Sequence, residues 1–138
     1  MRILLVLFTL LIIAIVIFVD QGGDIASTIH STLHEIPLGD KFGHLFFMGT
    51  WALLMNLALK ARRFQLGPWK PLLGSAIVMV VVTLEEISQY WLPTRNFSWL
   101  DLAFDYLGIV GAGFAAVAIL NRKAQKDSSP QLPHPPTS

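Results

Sequence analysis

The stretch ILLVLFTLLIIAIVIFV, residues 3–19, contains a single polar residue, Thr9, and no charged residue. A helix of this length extends about 26 Å, close to the roughly 30 Å of a bilayer's hydrocarbon core. The run is longer than the apolar part of a usual signal peptide, and Val19-Asp20-Gln21 lacks a small-residue cleavage site. It therefore predicts a retained transmembrane helix, with a cleaved signal peptide as the alternative.

Three further apolar runs follow, at about residues 42–59, 72–92 and 101–120, and each is long enough to cross a bilayer. Over the whole chain 54% of residues are hydrophobic and 14% are charged, with a mean hydropathy of +0.59. Such a balance suits lipid-facing helices better than a water-soluble surface. The expected fold class is all-α: a polytopic membrane protein with four transmembrane helices. The chain has no cysteine, which excludes disulfides, thiolate zinc sites and a cysteine nucleophile.

The basic residues indicate the orientation, because lysine and arginine near span ends are retained on the cytoplasmic side. Two of them, Lys41 and Arg95, fall on one side of the predicted spans. The other side carries Arg2, Lys60, Arg62, Arg63, Lys70, Arg122, Lys123 and Lys126. Both termini are therefore expected to be cytoplasmic.

These spans predict a four-helix transmembrane domain over residues 1–126 and a disordered cytoplasmic tail over 127–138, which is rich in proline and serine. The outer loop, residues 20–39, has isoleucine and leucine at helical spacing after a Gly-Gly pair. This pattern predicts a short amphipathic helix in the outer membrane interface.

Ionisable residues inside spans are costly, and they usually face the bundle interior and serve function. In this chain they gather at the outer ends of the last three spans, where His44, Glu86 and Asp105 each lie one to two turns below the helix end. Gly108, Ala112 and Ala116 follow Asp105 on one face of the fourth span and would let that face pack closely against a neighbour. The predicted ligand-binding cluster comprises Asp40, Lys41, His44, Glu86, Gln89, Arg95, Asp101 and Asp105.

The alternative for this cluster is a salt-bridge network that only holds the helices together. The excess of carboxylates over cations argues against it, because some acid would then be protonated or await a partner. No catalytic residue is assigned.

His30 and His34, followed by Glu35, are the strongest metal candidates. Two histidines on an exposed loop fall short of the three or four ligands of a zinc site, so no metal site is predicted. The sequence indicates no cofactor and no nucleic-acid partner, and it leaves the oligomeric state open.

The order Asp40-Lys41-x-x-His44, Glu86-x-x-Gln89, Arg95 and Asp101-x-x-x-Asp105-x-x-Gly108 resembles the VanZ-like family of bacterial membrane proteins, over roughly residues 38–120. Two positions depart from the family pattern. Asp105 stands where the family usually has asparagine, and Met48 stands near the position of a common tyrosine. The founding member is associated with resistance to teicoplanin. The resemblance thus implies a multi-pass protein of the bacterial cytoplasmic membrane in contact with the cell envelope, and it supplies no substrate. The departure at Asp105 adds a negative charge to the cluster, so Asp105 is expected to be protonated or paired with a cation.

Three functions remain open from the sequence. The favoured one is an outer-face polar pocket that binds an envelope lipid, a lipid-linked glycan or a glycopeptide-type ligand, and that affects teicoplanin susceptibility. The second is a membrane enzyme acting on a lipid-linked substrate, with His44 or Glu86 as general base and a protonated Asp105 as general acid. The third is a small structural or partner protein. Membrane lipids, including a lipid-linked envelope precursor, are the expected partners.

Overall fold

The computed structural model describes residues 2–20, 39–89 and 98–128. Within these ranges the chain forms four α-helices: α1 Arg2–Asp20, α2 Gly39–Ala58, α3 Leu73–Gln89 and α4 Trp99–Ser128. The described part contains no β-strand, and its only non-helical pairing is two isolated bridges between α2 and α3. The all-α prediction is confirmed. The bounds of the first three helices and the start of α4 fall within about three residues of the predicted spans, but α4 continues to Ser128, well past the predicted end at about residue 120.

Among the helices of the described ranges, α4 alone is long and apolar enough to cross a membrane by the criteria of length and composition. α3 has 17 residues and is about 26 Å long, somewhat less than the hydrocarbon thickness. The charged and polar residues Asp40, Lys41 and His44 occupy the first turns of α2 and reduce its apolar length.

The closest helix packing joins α2 to α4. The backbone of Gly108 on α4 lies against the carbonyl group of Leu45 and the amide of Gly49 on α2, and a Cβ on Gly108 would overlap with the Leu45 oxygen. Gly108 and Ala116 are buried, so the prediction that the small residues of α4 face a neighbour is confirmed. The apolar core surrounds this contact and contains Trp51, Ala52, Val78, Val82, Leu102 and Ile109.

The first helix packs on the outside of α2. Its Ile12 is buried, and Thr9 Oγ1 accepts a hydrogen bond of 3.0 Å from Trp51 Nε1. Thr9 is the single polar residue of the opening apolar run, and its hydroxyl satisfies an indole N–H that would otherwise be buried without an acceptor. This contact fixes the height of α1 against the bundle.

Two predicted segments, the C-terminal tail and the outer loop, lie mostly outside the described residues. The tail predicted from residue 127 begins inside α4, because Asp127 and Ser128 belong to its last turn and Ser128 Oγ donates a hydrogen bond to the Gln125 carbonyl. The rest of that tail lies outside the described residues. So does the outer loop with its predicted amphipathic helix, apart from Asp20 and Gly39 at the ends of α1 and α2.

Candidate functional site

Three helix ends meet at one end of the bundle. α2 and α4 both begin there and α3 ends there, so side chains from the first turns of α2 and α4 face the last turns of α3. Lys41 contacts Asp101, His44 contacts Asp105, and Glu86 contacts Ser98. The predicted convergence of these three helix ends is confirmed, and we call this group of six residues the polar cluster.

Two polar contacts connect α2 and α4 one helical turn apart, an ion pair and a histidine–carboxylate contact. Lys41 Nζ lies 2.8 Å from Asp101 Oδ1, and His44 Nδ1 lies 3.1 Å from Asp105 Oδ1. The two contacts form together because α2 and α4 run in the same direction. The contacting residues are three apart on α2 and four apart on α4, which is about one turn in each helix. Each helix therefore presents its ionic residues along one face.

The His44–Asp105 pair has the geometry of an imidazole held by a carboxylate. Nδ1 is 3.1 Å from Oδ1 and 3.3 Å from Oδ2, so one N–H pointing between the two oxygens would serve both. The histidine tautomer sets which atom donates: an imidazole with its proton on Nδ1 donates to the Asp105 carboxylate, and a protonated Asp105 donates to an unprotonated Nδ1. Both arrangements fit these distances.

The side chains of the polar cluster differ in how far they are exposed. The side chains of Lys41 and His44 are 18% and 25% exposed, whereas Glu86 and Asp105 are each 1% exposed. The basic groups therefore lie toward the end of the bundle, and the carboxylates of Glu86 and Asp105 lie behind them. Asp101 and His44 are among the electrostatic neighbours of Glu86, which places all of these groups in one cluster.

Ser98 joins α3 to α4 and caps α4. Its Oγ accepts a hydrogen bond of 3.3 Å from the Asp101 amide, and its carbonyl accepts the first helical bond from Leu102. In a capping box the residue at Asp101's position would bond back to the Ser98 amide. Here that amide donates to Glu86 Oε1 at 2.6 Å instead. The Asp101 carboxylate is thereby available to Lys41.

A hydroxyl pair lies one turn below Glu86. Thr83 Oγ1 donates to the Met79 carbonyl at 2.6 Å, so its contact of 2.6 Å with Tyr106 is a bond donated by the tyrosine. Sequence reasoning did not select Tyr106 for the site, although a tyrosine next to Asp105 in a span is a signal that could have been used. Ser98 was not predicted as a site residue either. Its position three residues before Asp101 is the spacing of a helix cap and could have indicated it.

The structure describes five of the eight predicted residues in full: Lys41, His44, Glu86, Asp101 and Asp105. Asp40 lies in the first turn of α2 and Gln89 ends α3, but their side chains are outside the described part. Arg95, His30 and His34 lie outside the described residues altogether. Their membership of a binding or metal site stays a prediction.

A second polar contact, at the opposite end of the bundle, was not predicted. Asn56 on α2 is fully buried and bonds to Ser75 on α3 twice: Nδ2 donates to Ser75 Oγ at 2.8 Å, and Oδ1 accepts from the Ser75 amide at 3.2 Å. Gly74 lies so close to Asn56 that a Cβ there would overlap with it. This amide clamp holds α2 to α3 with neutral groups.

In the residues that the structure describes, no three histidine, cysteine, aspartate or glutamate side chains are grouped so as to hold a metal ion. The carboxylates of the polar cluster instead engage Lys41, His44 and the Ser98 amide. Comparison with known proteins finds no matching family model, no matching curated protein and no matching solved structure.

Proposed function

We propose that the protein is a VanZ-like, four-span protein of the bacterial cytoplasmic membrane whose polar cluster binds an anionic or hydroxyl-rich headgroup at the outer face. The headgroup would belong to an envelope lipid, a lipid-linked glycan or a glycopeptide-type ligand, with an effect on teicoplanin susceptibility. Both termini are then cytoplasmic, and the polar cluster lies at the outer end.

The distribution of apolar side chains supports a membrane location for all four helices. Each helix exposes large hydrophobic residues, among them Leu7 and Leu10 on α1, Phe42 and Phe46 on α2, Val80 and Leu84 on α3, and Leu107 and Phe114 on α4. Monomeric soluble proteins rarely expose contiguous apolar patches of large area, whereas lipid-facing helices do. The charged groups Glu86 and Asp105 are buried, as expected for ionisable residues within a bilayer.

One observation carries the binding proposal: the basic groups of the polar cluster are partly exposed at the end of the bundle, and buried carboxylates stand behind them. Lys41 Nζ and, on a protonated imidazole, Nε2 of His44 would donate to phosphate or sugar oxygens, while Asp101 and Asp105 contact the two basic side chains. Arg95, between α3 and α4 in the sequence, adds a further cation in this proposal.

The experiment is a thermal-shift screen of the detergent-purified protein against envelope phospholipids, a lipid-linked glycan precursor and teicoplanin. A ligand that binds the folded state raises the apparent unfolding temperature by mass action. We expect a shift for the parent protein and none for the double variant His44→Ala, Arg95→Ala. Asn56→Ala is the matched control, since it weakens the bundle at the opposite end and should keep the ligand-induced shift.

A ligand that shifts the parent and the double variant equally would place binding elsewhere. If no envelope compound shifts the parent, and the double variant is itself much less stable, the cluster serves helix packing alone. These outcomes separate a binding site from the structural alternative.

The His44–Asp105 geometry favours a second candidate, a membrane enzyme. A carboxylate that accepts from Nδ1 directs the imidazole's basic lone pair to Nε2, the arrangement of a general base. In this alternative His44 would remove a proton from water or from a hydroxyl of a lipid-linked substrate, and Asp105 would stabilise the imidazolium. No nucleophile is assigned in this alternative.

Turnover separates the two candidates. Purified protein would be incubated with the lipid-linked precursor that gives the largest thermal shift, and the products analysed by mass spectrometry. Product formation that is lost in His44→Ala, with binding retained, supports the enzyme. Binding without product in the parent supports the binding protein.

A further inference from the structure

The connection between α2 and α3 has a defined fold of its own. Just after α2, Lys60 adopts a left-handed conformation with a φ of 53°. The Ala61 amide donates to the Asn56 carbonyl, and the Lys60 amide donates to the Leu57 carbonyl. This pattern is a Schellman motif. It turns the chain sharply away from the helix axis at the end of the bundle opposite the polar cluster.

The chain then forms a hairpin, residues 63–72, which we call the α2–α3 hairpin. Two antiparallel bridges define its register, Arg63 with Leu72 and Leu66 with Trp69. Gly67 and Pro68 form the turn, and the φ of 58° at Gly67 suits the first central position of a type II′ turn. Arg63 Nη1 also donates to the Lys70 carbonyl at 2.8 Å, which ties the two arms together.

This register gives the hairpin two unlike faces. Leu66 and Trp69 are paired, so their side chains lie on one face, and the alternation along each arm places Phe64 on that face as well. Leu66 is 60% exposed and Trp69 is 74% exposed, whereas Phe64 is partly buried, so the Leu66–Trp69 end of this apolar face is not packed against the bundle. Gln65 and Lys70 alternate onto the opposite face and are exposed.

The charge of the connection has one sign. Residues 59–72 contain four basic residues and no aspartate or glutamate. All four are exposed: Lys60, Arg62, Arg63 and Lys70. Basic side chains near an anionic membrane surface contribute attraction of about 1 kcal/mol each, and tryptophan prefers the level of the headgroups.

We infer that the α2–α3 hairpin lies in the membrane interface and binds anionic phospholipid headgroups, with Leu66 and Trp69 inserted among the acyl chains. The inference rests on the membrane location proposed above, but it concerns the opposite end of the bundle and a different ligand-binding surface. The observation behind it is the combination of an ordered, exposed apolar face with an exclusively basic surround. An amphipathic element of this kind binds at the interface by apolar burial and attraction to anionic lipid together.

The test uses tryptophan fluorescence in vesicles. The full-length protein is reconstituted in phosphatidylcholine containing either acyl-brominated phosphatidylglycerol or acyl-brominated phosphatidylcholine at the same fraction. The contribution of Trp69 is the difference between the parent and Trp69→Phe. We expect brominated phosphatidylglycerol to quench Trp69 more strongly than brominated phosphatidylcholine.

Two charge variants give the matched comparison. Arg62→Gln with Lys70→Gln removes two positive charges from the connection and should abolish the preference for the anionic lipid. Arg122→Gln with Lys123→Gln removes two from the exposed end of α4 and should keep it. Equal quenching by both lipids in the parent, or equal loss in both variants, would overturn the inference.

Flotation of the vesicles after an alkaline wash separates the two proposals. A parent protein that does not float with the vesicles contradicts the membrane location itself. A parent that floats but shows no preference for the anionic lipid contradicts the hairpin alone. The double variant used in the thermal-shift screen, His44→Ala with Arg95→Ala, should keep the lipid preference of Trp69.

Discussion

The two ends of the bundle join its helices by different chemistry. At one end, Lys41 and His44 on α2 contact carboxylates of α4, and both basic side chains are partly exposed. At the other end, Asn56 bonds twice to Ser75 through neutral groups, and Asn56 is fully buried. The two ends therefore differ in the charge and in the burial of the groups that join the helices, and the proposed ligand site is at the ionic end.

The largest loss of stability is expected where α4 touches α2, at Gly108. In Gly108→Val the side chain would overlap with the Leu45 carbonyl, so α4 must move away from α2 at a cost of about 3 kcal/mol in unfolding free energy. The His44–Asp105 distance would lengthen and ligand binding would be lost. Unfolding by titration with a denaturing detergent measures the stability, and the thermal-shift assay measures the binding.

Gly111→Ala is the control for this substitution, because a Cβ on Gly111 meets no atom within 4 Å. It lies on the same helix and should leave stability and binding unchanged. If Gly108→Val is as stable as the parent and still binds ligand, the close contact between α2 and α4 does not position the polar cluster.

The next largest loss of stability is expected at the opposite end of the bundle, where Asn56 bonds to Ser75. Asn56→Ala leaves the Ser75 amide and hydroxyl without their partner and should lower the unfolding free energy by about 1–2 kcal/mol. Detergent unfolding measures this loss. Because the polar cluster is at the far end of α2, the ligand-induced thermal shift should persist. Loss of the shift in this variant would mean that the two ends are coupled.

A smaller effect is expected for the partly exposed ion pair. A double-mutant cycle with Lys41→Met and Asp101→Asn should give a coupling energy of about 1 kcal/mol or less, since exposure to water screens the attraction. Each single variant should nevertheless abolish ligand binding. A coupling several times larger, with binding retained in the single variants, would favour a structural role.

The smallest change in stability is expected for Glu86→Gln. The amide oxygen of glutamine can still accept the hydrogen bond from the Ser98 amide, so the free energy of unfolding should change by about 0.5 kcal/mol or less. The substitution removes the charge behind His44, and binding should weaken at least about tenfold, the equivalent of 1.4 kcal/mol. A stable variant with unchanged affinity would exclude Glu86 from the site.

Much of the site could be predicted from residue spacing. The one-turn spacing of Lys41 with His44, and of Asp101 with Asp105, places each pair on one helix face whatever the packing. The order of the helices along the chain then brings these faces to one end. Asp105 was expected to be protonated or paired with a cation, and its two side-chain oxygens lie 3.1 Å and 3.3 Å from His44 Nδ1.

Other contacts could not be predicted because they depend on how two helices approach each other. The Ser98–Asp101 spacing predicts a helix cap, but the donation of the Ser98 amide to Glu86 depends on the height at which α3 ends. The Thr83–Tyr106 and Asn56–Ser75 bonds likewise join residues whose neighbours are set by helix rotation. No periodicity within one helix specifies that rotation.

The sequence by itself determined the all-α class, the approximate bounds of the helices and the accumulation of ionisable residues at one end. These follow from local properties, namely hydropathy, helix period and the cost of a charge in an apolar run. The tertiary structure decided which carboxylate holds which base, which groups are buried, and that the connection after α2 is a hairpin with an exposed apolar face. These depend on the contact of Gly108 with the α2 backbone and on the register of two short chain segments, which arise only when distant residues meet.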